Sequence, residues 1–251
     1  MQQVTGALGG RKAVITGAAS GIGRGILEAF VREGATVLAV DLPSGQWETS
    51  NVVENGVARL AVDVTLADAP ARVVEAARNM LGGIDILVNN AGISPAGDVE
   101  TTSDEMWSRV MALNVDAVFR LTRAAVPFLK QSGSGRIINT GSIMSEIASP
   151  SIIAYVTSKH AVAGMTKAMA MDLGQYGICA NFLQPGAIVT PLSEAHMADE
   201  QYVAHWKRKI PLGRLGEPDD IGPVAVFLAS DAARYVSGEG LRIDGGAAFN
   251  A

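Results

Sequence analysis

Short apolar runs alternate along the chain with longer segments that repeat apolar residues at helical spacing. The apolar runs are rich in Val, Ile and Leu, a composition typical of strands that are buried on both faces. They fall at residues 12–16, 36–40, 59–64, 84–89, 136–140, 178–183 and 240–243. Because six of the seven runs precede loop or helical sequence, the pattern predicts right-handed βαβ crossovers and a parallel sheet covered on both faces.

The helical patterns differ in length and in what interrupts them. They cover residues 22–32, 103–130 and 151–174. No linker or internal repeat breaks the alternation, which favours a single domain over residues 1–251. From 191 to 218 the pattern weakens into polar, charged and Pro/Gly-rich sequence. This segment predicts a partly helical lid over the strand ends.

Composition narrows the class of protein. Of the 251 residues, 48% are hydrophobic and 18% are charged, with 28 Gly and 10 Pro, which excludes collagen-like and disordered chains. The formal net charge of −5 provides no electrostatic footprint for nucleic acid. One cysteine and three scattered histidines indicate neither an internal disulfide nor a metal site. No stretch reaches the roughly 18 apolar residues of a membrane span, so we expect a cytoplasmic protein without membrane contact.

A glycine-rich turn, TGAASGIG at residues 16–23, separates the first predicted strand from the first helix. Glycines let the backbone turn tightly and let a pyrophosphate approach the helix N-terminus, whose N–H groups and dipole favour an anion. The alternative is an ordinary βα turn. The strand before it, the helix after it and an acid downstream favour dinucleotide binding.

That acid is Asp41, which follows the second predicted strand, 18 residues beyond Gly23. A carboxylate there accepts hydrogen bonds from the adenosine ribose hydroxyls and repels a 2′-phosphate, so the sequence predicts NAD over NADP. Two alternatives stay open: Asp41 could cap the next helix, and the nearby Arg24 could tolerate a phosphate.

Tyr155 and Lys159 are four residues apart in a predicted helix, so they lie on one face. A free tyrosine titrates near 10, and an adjacent cation favours the phenolate. We therefore expect Lys159 to lower the pKa of Tyr155. Alone, such a pair is typical of a surface contact, but Ser142 follows the strand 136–140, at the sheet edge where functional groups gather.

Taken together, these residues resemble the short-chain dehydrogenase/reductase family over nearly the whole chain. The motifs that match, in the family's order, are the glycine turn, Asp63-Val64, Asn89-Asn90-Ala91-Gly92, Asn114, Ser142, Tyr155 with Lys159, Pro185-Gly186 with Thr190, and Asp244-Gly245-Gly246. The resemblance implies a single-domain, Rossmann-like, doubly wound α/β sheet of about seven mainly parallel strands. It also implies a nicotinamide cofactor, hydride transfer at a carbonyl carbon and a homo-oligomer, commonly a tetramer.

The resemblance further implies a role for each motif residue. Tyr155 would exchange the proton of the substrate oxygen, and Ser142 would hold that oxygen. Lys159 would bind the nicotinamide ribose, and Asn114 would anchor a water next to Lys159, unless its amide only ties the backbone. The cofactor would contact Gly17, Ser20, Gly21, Ile22, Gly23, Asp41, Asp63, Val64, Asn90, Tyr155, Lys159, Ile188 and Thr190.

The substrate pocket should form where the loops 93–97, 143–146 and 184–187 converge beneath the predicted lid. Its predicted polar groups are Ser94, Ser145, Glu146 and Gln184. Its predicted apolar floor is Ile93, Met144 and Ile188. This mixture favours a small hydroxylated substrate, such as a polyol, sugar or hydroxyketone, although Glu146 and Gln184 could instead face solvent or a neighbouring subunit.

Three functions are compatible with the sequence. The first is an NAD-dependent oxidoreductase that interconverts a secondary alcohol and a ketone. The second is an NADPH-dependent 3-oxoacyl-thioester reductase, which Asp41 disfavours. Lys207, Arg208 and Lys209 could contact an anionic carrier, but the preferred interpretation of these three residues is a solvated helix face. The third is a nucleotide-sensing protein without catalysis, which the presence of Tyr155 and Lys159 disfavours.

Overall fold

The computed structural model describes residues 6–44, 47–50, 52–194 and 198–250. The strands are β1 (Lys12–Thr16), β2 (Thr36–Asp41), β3 (Val57–Ala61), β4 (Ile86–Asn89), β5 (Arg136–Thr140), β6 (Cys179–Pro185) and β7 (Gly240–Ile243). The helices are α1 (Gly21–Arg32), α2 (Ala69–Leu81), α3 (Asp104–Met111), α4 (Ala117–Ser132), α5 (Ile153–Leu173), α6 (Glu200–Lys209) and α7 (Pro218–Ala229). These strands form one sheet in the order β3-β2-β1-β4-β5-β6-β7, and every neighbouring pair is parallel.

Alternating side chains on each strand feed two hydrophobic cores, one on each face of the sheet. Val14 and Leu87 belong to the core that includes side chains of α2, α4 and α5. The neighbouring Ile15 and Val88 belong to the core that includes side chains of α1 and α7. Burial on both faces explains why the strands are almost continuously apolar. The predicted doubly wound, Rossmann-like α/β sheet is confirmed.

The strand order reverses next to β1, which pairs with β2 on one side and with β4 on the other. In open parallel sheets, such a reversal leaves a crevice at the carboxyl ends of the strands, where ligands bind. The loops after β1, β2 and β4 therefore meet at one edge of the sheet.

Two predicted elements differ from the structure. The strand predicted at 59–64 is β3, at Val57–Ala61; Val62 and Val64 are buried in the wall of the cavity described below rather than in the sheet. The helix predicted at 103–130 is divided, because Ala112–Asp116 forms a π-helical turn between α3 and α4. Such turns are frequent at functional sites.

The segment 191–218 contains a short 3₁₀ turn at Pro191–Ser193 and the helix α6, while residues 195–197 lie outside the described residues. Within the described ranges, no helix combines the length and the apolar content needed to cross a bilayer.

Candidate active site

A cavity of about 1310 Å³ lies at the carboxyl edge of the sheet. Its wall is built from the loops after β1 to β6 and from parts of α3, α5 and α6. The predicted site residues that line it are Gly17, Ser20, Gly21, Ile22, Asp41, Asp63, Val64, Asn90, Ser142, Tyr155, Lys159, Ile188 and Thr190. The fold thus brings residues from the carboxyl ends of six strands and from helices α1 and α5 to a single space. Gly23 and Asn114 do not line the cavity themselves but contact residues that do.

The glycine turn has the backbone geometry that its sequence requires. Gly17 and Gly21 have φ angles of +65° and +52°, in the left-handed region that favours glycine. A Cβ on Gly23 would lie 1.9 Å from the Gly17 carbonyl oxygen and 2.5 Å from Asn90 Nδ2, so only glycine fits there. Ser20 caps α1 in an extended conformation, and the first turn of α1 has no acidic residue. The partial positive charge of this helix end therefore faces the cavity without a carboxylate of its own helix.

Asp41 is the last residue of β2, not the first residue after it. Its Oδ2 accepts a hydrogen bond from the Ala19 N–H at 2.8 Å, and its Oδ1 accepts one from the Leu42 N–H at 2.7 Å. The carboxylate therefore holds the glycine turn while it contributes to the cavity wall. Arg24 instead pairs with Glu28 at 2.8 Å on the exposed side of α1, outside that wall.

Asn90 connects three strand ends. Its Nδ2 donates to the carbonyl oxygens of Thr16 and Gly17 at 3.1 and 3.2 Å, and its Oδ1 accepts from the Thr140 hydroxyl at 3.2 Å. Asp63 accepts two hydrogen bonds from Thr65, at 2.9 Å from the N–H and at 2.7 Å from the hydroxyl. Both side chains are thus held by the protein itself.

Asn114 lies in the π-helical turn and is almost completely buried, with 1% of its surface exposed. Its Oδ1 accepts from the Ile93 N–H at 3.0 Å, and its Nδ2 donates to the Ile93 carbonyl at 2.9 Å and to the Ser158 hydroxyl at 3.0 Å. These bonds use both N–H groups of the amide and one of the two acceptor positions of its oxygen. Asn114 therefore joins the loop after β4 to the helix that carries Tyr155, and a water next to Lys159 stays a prediction.

Ser142 is the N-cap of a 3₁₀ turn, Ile143–Ser145, that follows β5. Its hydroxyl accepts a hydrogen bond from the Met144 N–H at 3.1 Å, while its own N–H donates to Ser145 Oγ at 3.2 Å. This reciprocal pair is a capping box. It fixes the backbone on both sides of Ser142, whose hydroxyl reaches the Tyr155 phenol.

Tyr155 and Lys159 are neighbours on α5, as their spacing predicts. Lys159 Nζ lies 5.4 Å from the centre of the Tyr155 ring and donates to the Thr140 carbonyl at 2.6 Å. Burial lowers the pKa of Lys159 to about 8. Burial also raises the pKa of Tyr155, which a hydrogen bond with Ser142 lowers and the neighbouring Tyr202 raises. The prediction that Lys159 lowers the pKa of Tyr155 is wrong for this structure, because desolvation outweighs every other contribution.

The loop after β6 closes the cavity over the glycine turn. Thr190 Cβ lies 3.2 Å from the position that a Cβ on Gly21 would occupy. A capping box between Thr190 and Ser193 holds this loop, and Ile188 is buried beneath it. Thr190 therefore packs against the glycine turn, and its predicted contact with the cofactor stays a prediction.

The predicted polar pocket is wrong in three of its four members. Ser94 lines the cavity, as do Ile93, Met144 and Ile188, but Ser145, Glu146 and Gln184 lie outside its wall. Gln184 is buried in β6 and donates to Glu146 Oε1 at 2.9 Å. Glu146 also pairs with Arg242 of β7. These side chains satisfy one another, and so they join strands instead of facing a ligand.

Sequence reasoning missed four polar or aromatic residues of the cavity wall, Arg109 of α3 and Tyr202, His205 and Trp206 of α6. It considered Lys209 of α6, also in the wall, only as a contact for an anionic carrier. The α6 set has the spacing i, i+3, i+4 and i+7, which places it on one helical face, so a signal was present. Lys209 belongs to the cavity, while Lys207 and Arg208 are exposed outside it. The described residues contain no group of three His, Cys, Asp or Glu that could hold a metal ion.

Comparisons with known proteins agree with this geometry. The family profile described as enoyl-(acyl carrier protein) reductase matches residues 17–248. D-beta-hydroxybutyrate dehydrogenase of Cupriavidus necator is 36% identical, over 95% of this chain and 98% of that protein. A 3-oxoacyl-[acyl-carrier-protein] reductase of Vibrio cholerae is also 36% identical, over the same shares of the two chains. The solved structure of a gluconate 5-dehydrogenase from Burkholderia cenocepacia, in complex with NADP and tartrate, has a TM-score of 0.89 at 32% identity and covers 97% of both chains.

These relatives are named for different substrates, but each name describes an oxidoreductase. They match this chain along nearly its whole length, and the parallel sheet, the glycine turn and the Tyr155–Lys159 pair lie where the family motifs require them. The chain is an oxidoreductase that acts on CH–OH groups with a nicotinamide dinucleotide, and it belongs to the short-chain dehydrogenase/reductase family.

Proposed function

We propose that this enzyme interconverts a small polar secondary alcohol and its ketone, with NAD as the preferred cofactor. The observation that carries the proposal is one cavity with two chemically different ends. One end holds the glycine turn and Asp41. Ser142, Tyr155 and Lys159 stand together elsewhere in the same wall.

The cavity residues fit a nicotinamide dinucleotide. The glycine turn would hold the pyrophosphate at the first turn of α1, and Asp41 would accept hydrogen bonds from the adenosine ribose. Val64 would border the adenine, while Ile188 and Thr190 would contact the nicotinamide carboxamide and the phosphate. When bound, this cofactor supplies the hydride chemistry.

The protein contributes proton transfer and positioning. Oxidation of the alcohol releases a hydride from carbon and a proton from oxygen. The deprotonated Tyr155 oxygen takes that proton, and the protonated phenol returns it in the reduction. The Ser142 hydroxyl holds the substrate oxygen. Lys159, with a pKa of about 8, is mainly cationic at neutral pH and would donate hydrogen bonds to the hydroxyls of the nicotinamide ribose. Asn114 keeps the Ile93 loop docked on α5 through its three hydrogen bonds.

The preference for NAD rests on Asp41. A 2′-phosphate at this position would meet the carboxylate, and Arg24, the nearest candidate to offset its charge, is paired with Glu28. We expect NAD to exceed NADP by at least about tenfold in kcat/KM, which corresponds to about 1.4 kcal/mol. Asp41→Asn removes the charge and keeps one acceptor oxygen, so it should narrow this ratio. The exposed Asp68, changed to Asn, is the matched control and should leave the ratio unchanged.

Steady-state kinetics of the wild-type enzyme and both variants test this proposal, with absorbance at the NADH band as the readout. Wild-type preference for NADP, or an unchanged ratio in Asp41→Asn, would contradict the assignment of Asp41. An acyl thioester included with the alcohols and ketones tests the reductase alternative, which would be favoured if that thioester were the best substrate with NADPH. No turnover with any substrate and either cofactor would favour the non-catalytic alternative.

The homotetramer, the cytoplasmic location, and the single domain with its lid over 191–218 stay predictions. Exposed apolar side chains support an oligomer, since Tyr235, Met171 and Phe249 are 101%, 83% and 82% exposed in the isolated chain. Light scattering on the purified protein measures the subunit number.

A further inference from the structure

The cavity has an uneven distribution of charge. Among the described residues that line it, the acidic ones are Asp41, at the end of β2, and Asp63, after β3, both at the proposed adenosine end. Its remaining charged or titratable nitrogen groups are Lys159, Arg109, His205 and Lys209. Apart from Lys159, these residues belong to α3 and α6; we call Arg109, His205 and Lys209 the α3–α6 basic group.

Within the described part of the chain, no acidic side chain pairs with the basic group. Among the described residues, neither Arg109 nor Lys209 forms a side-chain ion pair or side-chain hydrogen bond, whereas Arg214 pairs with Asp220 at 2.7 Å and Arg242 pairs with Glu146. Positive groups at the wall of a concave site without counter-charges attract an anionic ligand.

Helix α6 brings this group close to the reacting position. Tyr202 of α6 is near enough to raise the pKa of the Tyr155 phenol. The Tyr202 and Trp206 ring centres are 6.2 Å apart, and those of His205 and Trp206 are 5.9 Å apart. These edge-to-face contacts link the rings on the cavity-facing side of α6. That side runs from Tyr202, near Tyr155, through His205 and Trp206 one turn later to Lys209.

We propose that the substrate is a hydroxy acid whose carboxylate is bound by Lys209 and Arg109, with His205 as an additional hydrogen-bond donor. This inference rests on the proposed function and specifies its substrate class. The carboxylate would lie against α6 and α3 while the hydroxyl carbon lies at Tyr155. Lysine and arginine form charge-assisted hydrogen bonds to carboxylates, which are about twice as strong as neutral ones. The relatives named for hydroxybutyrate and gluconate also act on compounds that carry a carboxylate.

Matched pairs of substrates separate the carboxylate from the rest of the molecule. The pairs are 3-hydroxybutyrate with butane-1,3-diol, and gluconate with sorbitol, which differ by a carboxylate in place of CH₂OH. We expect the better acid of the two pairs to exceed its neutral partner by at least about tenfold in kcat/KM. Lys209→Gln and Arg109→Gln should each lower kcat/KM for the acid by roughly 10- to 100-fold and leave the neutral alcohol within about twofold.

Lys207→Gln is the control, because Lys207 lies on the same helix with the same charge, exposed and outside the cavity. It should change neither substrate. The proposal would be overturned if Lys209→Gln lowered kcat/KM equally for the acid and for the alcohol. It would also be overturned if Lys207→Gln lowered kcat/KM for the acid as much as Lys209→Gln does. Arg109→Gln gives an independent result from another helix if Lys209→Gln folds poorly.

A binding measurement separates this inference from the proposed function. Tartrate is the probe, and fluorescence of Trp206 in the cavity wall is the readout. Binding that weakens about tenfold in Lys209→Gln but not in Lys207→Gln supports the anion site even if no alcohol is turned over. Conversely, efficient NAD-dependent turnover of the neutral alcohols, with equal or poorer turnover of the acids, retains the proposed function and refutes the anion site.

Discussion

Replacing Gly23 by alanine should separate helix α1 from the glycine turn. The added Cβ would lie 1.9 Å from the Gly17 carbonyl oxygen, whereas ordinary contact begins near 3.4 Å, so a gap of about 1.5 Å must open. Neither obstacle yields easily, since one is backbone and the other, Asn90, is held by three hydrogen bonds through its side chain. Overpacking of this kind costs about 1–3 kcal/mol, which lowers the Tm of a chain of this size by roughly 2–12 °C.

Two measurements check this result: thermal unfolding and titration with NADH followed by nucleotide fluorescence. We expect the lower Tm together with at least about tenfold weaker NADH binding, or about 1.4 kcal/mol, because the displaced turn is the proposed pyrophosphate site. Gly174→Ala is the control, since Gly174 has φ −56° and no heavy atom within 4 Å of the added Cβ. Wild-type Tm and NADH affinity in Gly23→Ala would refute the packing argument.

Two further predictions concern the catalytic pair. Tyr155→Phe keeps the ring and removes the proton donor, so kcat should fall at least about a hundredfold with little change in NADH binding; near-normal turnover would contradict its role. Burial lowers the pKa of Lys159 from 10.5 to about 8, so its contribution to stability is fully present above pH 10.5 and is lost as pH falls through 8. In urea unfolding, the free energy of unfolding of the wild type, relative to that of Lys159→Met, should therefore increase by about 1 kcal/mol per pH unit as the pH rises from about 8 to 10.5. Parallel pH profiles of the two proteins would contradict a buried cation at Lys159.

The cofactor half of the site could be predicted because its determinants are local. A strand, a glycine turn and a helix follow one another within residues 12–32, and the backbone angles at Gly17 and Gly21 depend on that short segment. The acid at the end of the next strand is placed by the parallel pairing of β1 with β2. Parallel pairing follows from the alternation of strands and helices, so no distant contact had to be known.

The substrate half could not be predicted in the same way, because its side chains are oriented by distant partners. Gln184 stands at the carboxyl end of a strand, where a ligand contact is a reasonable expectation. Its amide instead donates a hydrogen bond to Glu146, which also forms an ion pair with Arg242 of β7. That arrangement depends on β5, β6 and β7 being neighbours and on the turn after β5 passing over them.

The pKa of Tyr155 shows the same division between local and distant causes. Helical spacing correctly places Lys159 beside Tyr155, and from that contact alone a lowered pKa follows. The structure adds two distant contributions. The Thr140 carbonyl accepts a hydrogen bond from the Lys159 ammonium at 2.6 Å, and burial of the Tyr155 phenol raises its pKa. The group that opposes this increase is Ser142, which comes from a different element. The pKa of Tyr155 therefore depends on how the turn after β5 is docked against α5, and that docking is a property of the whole sheet.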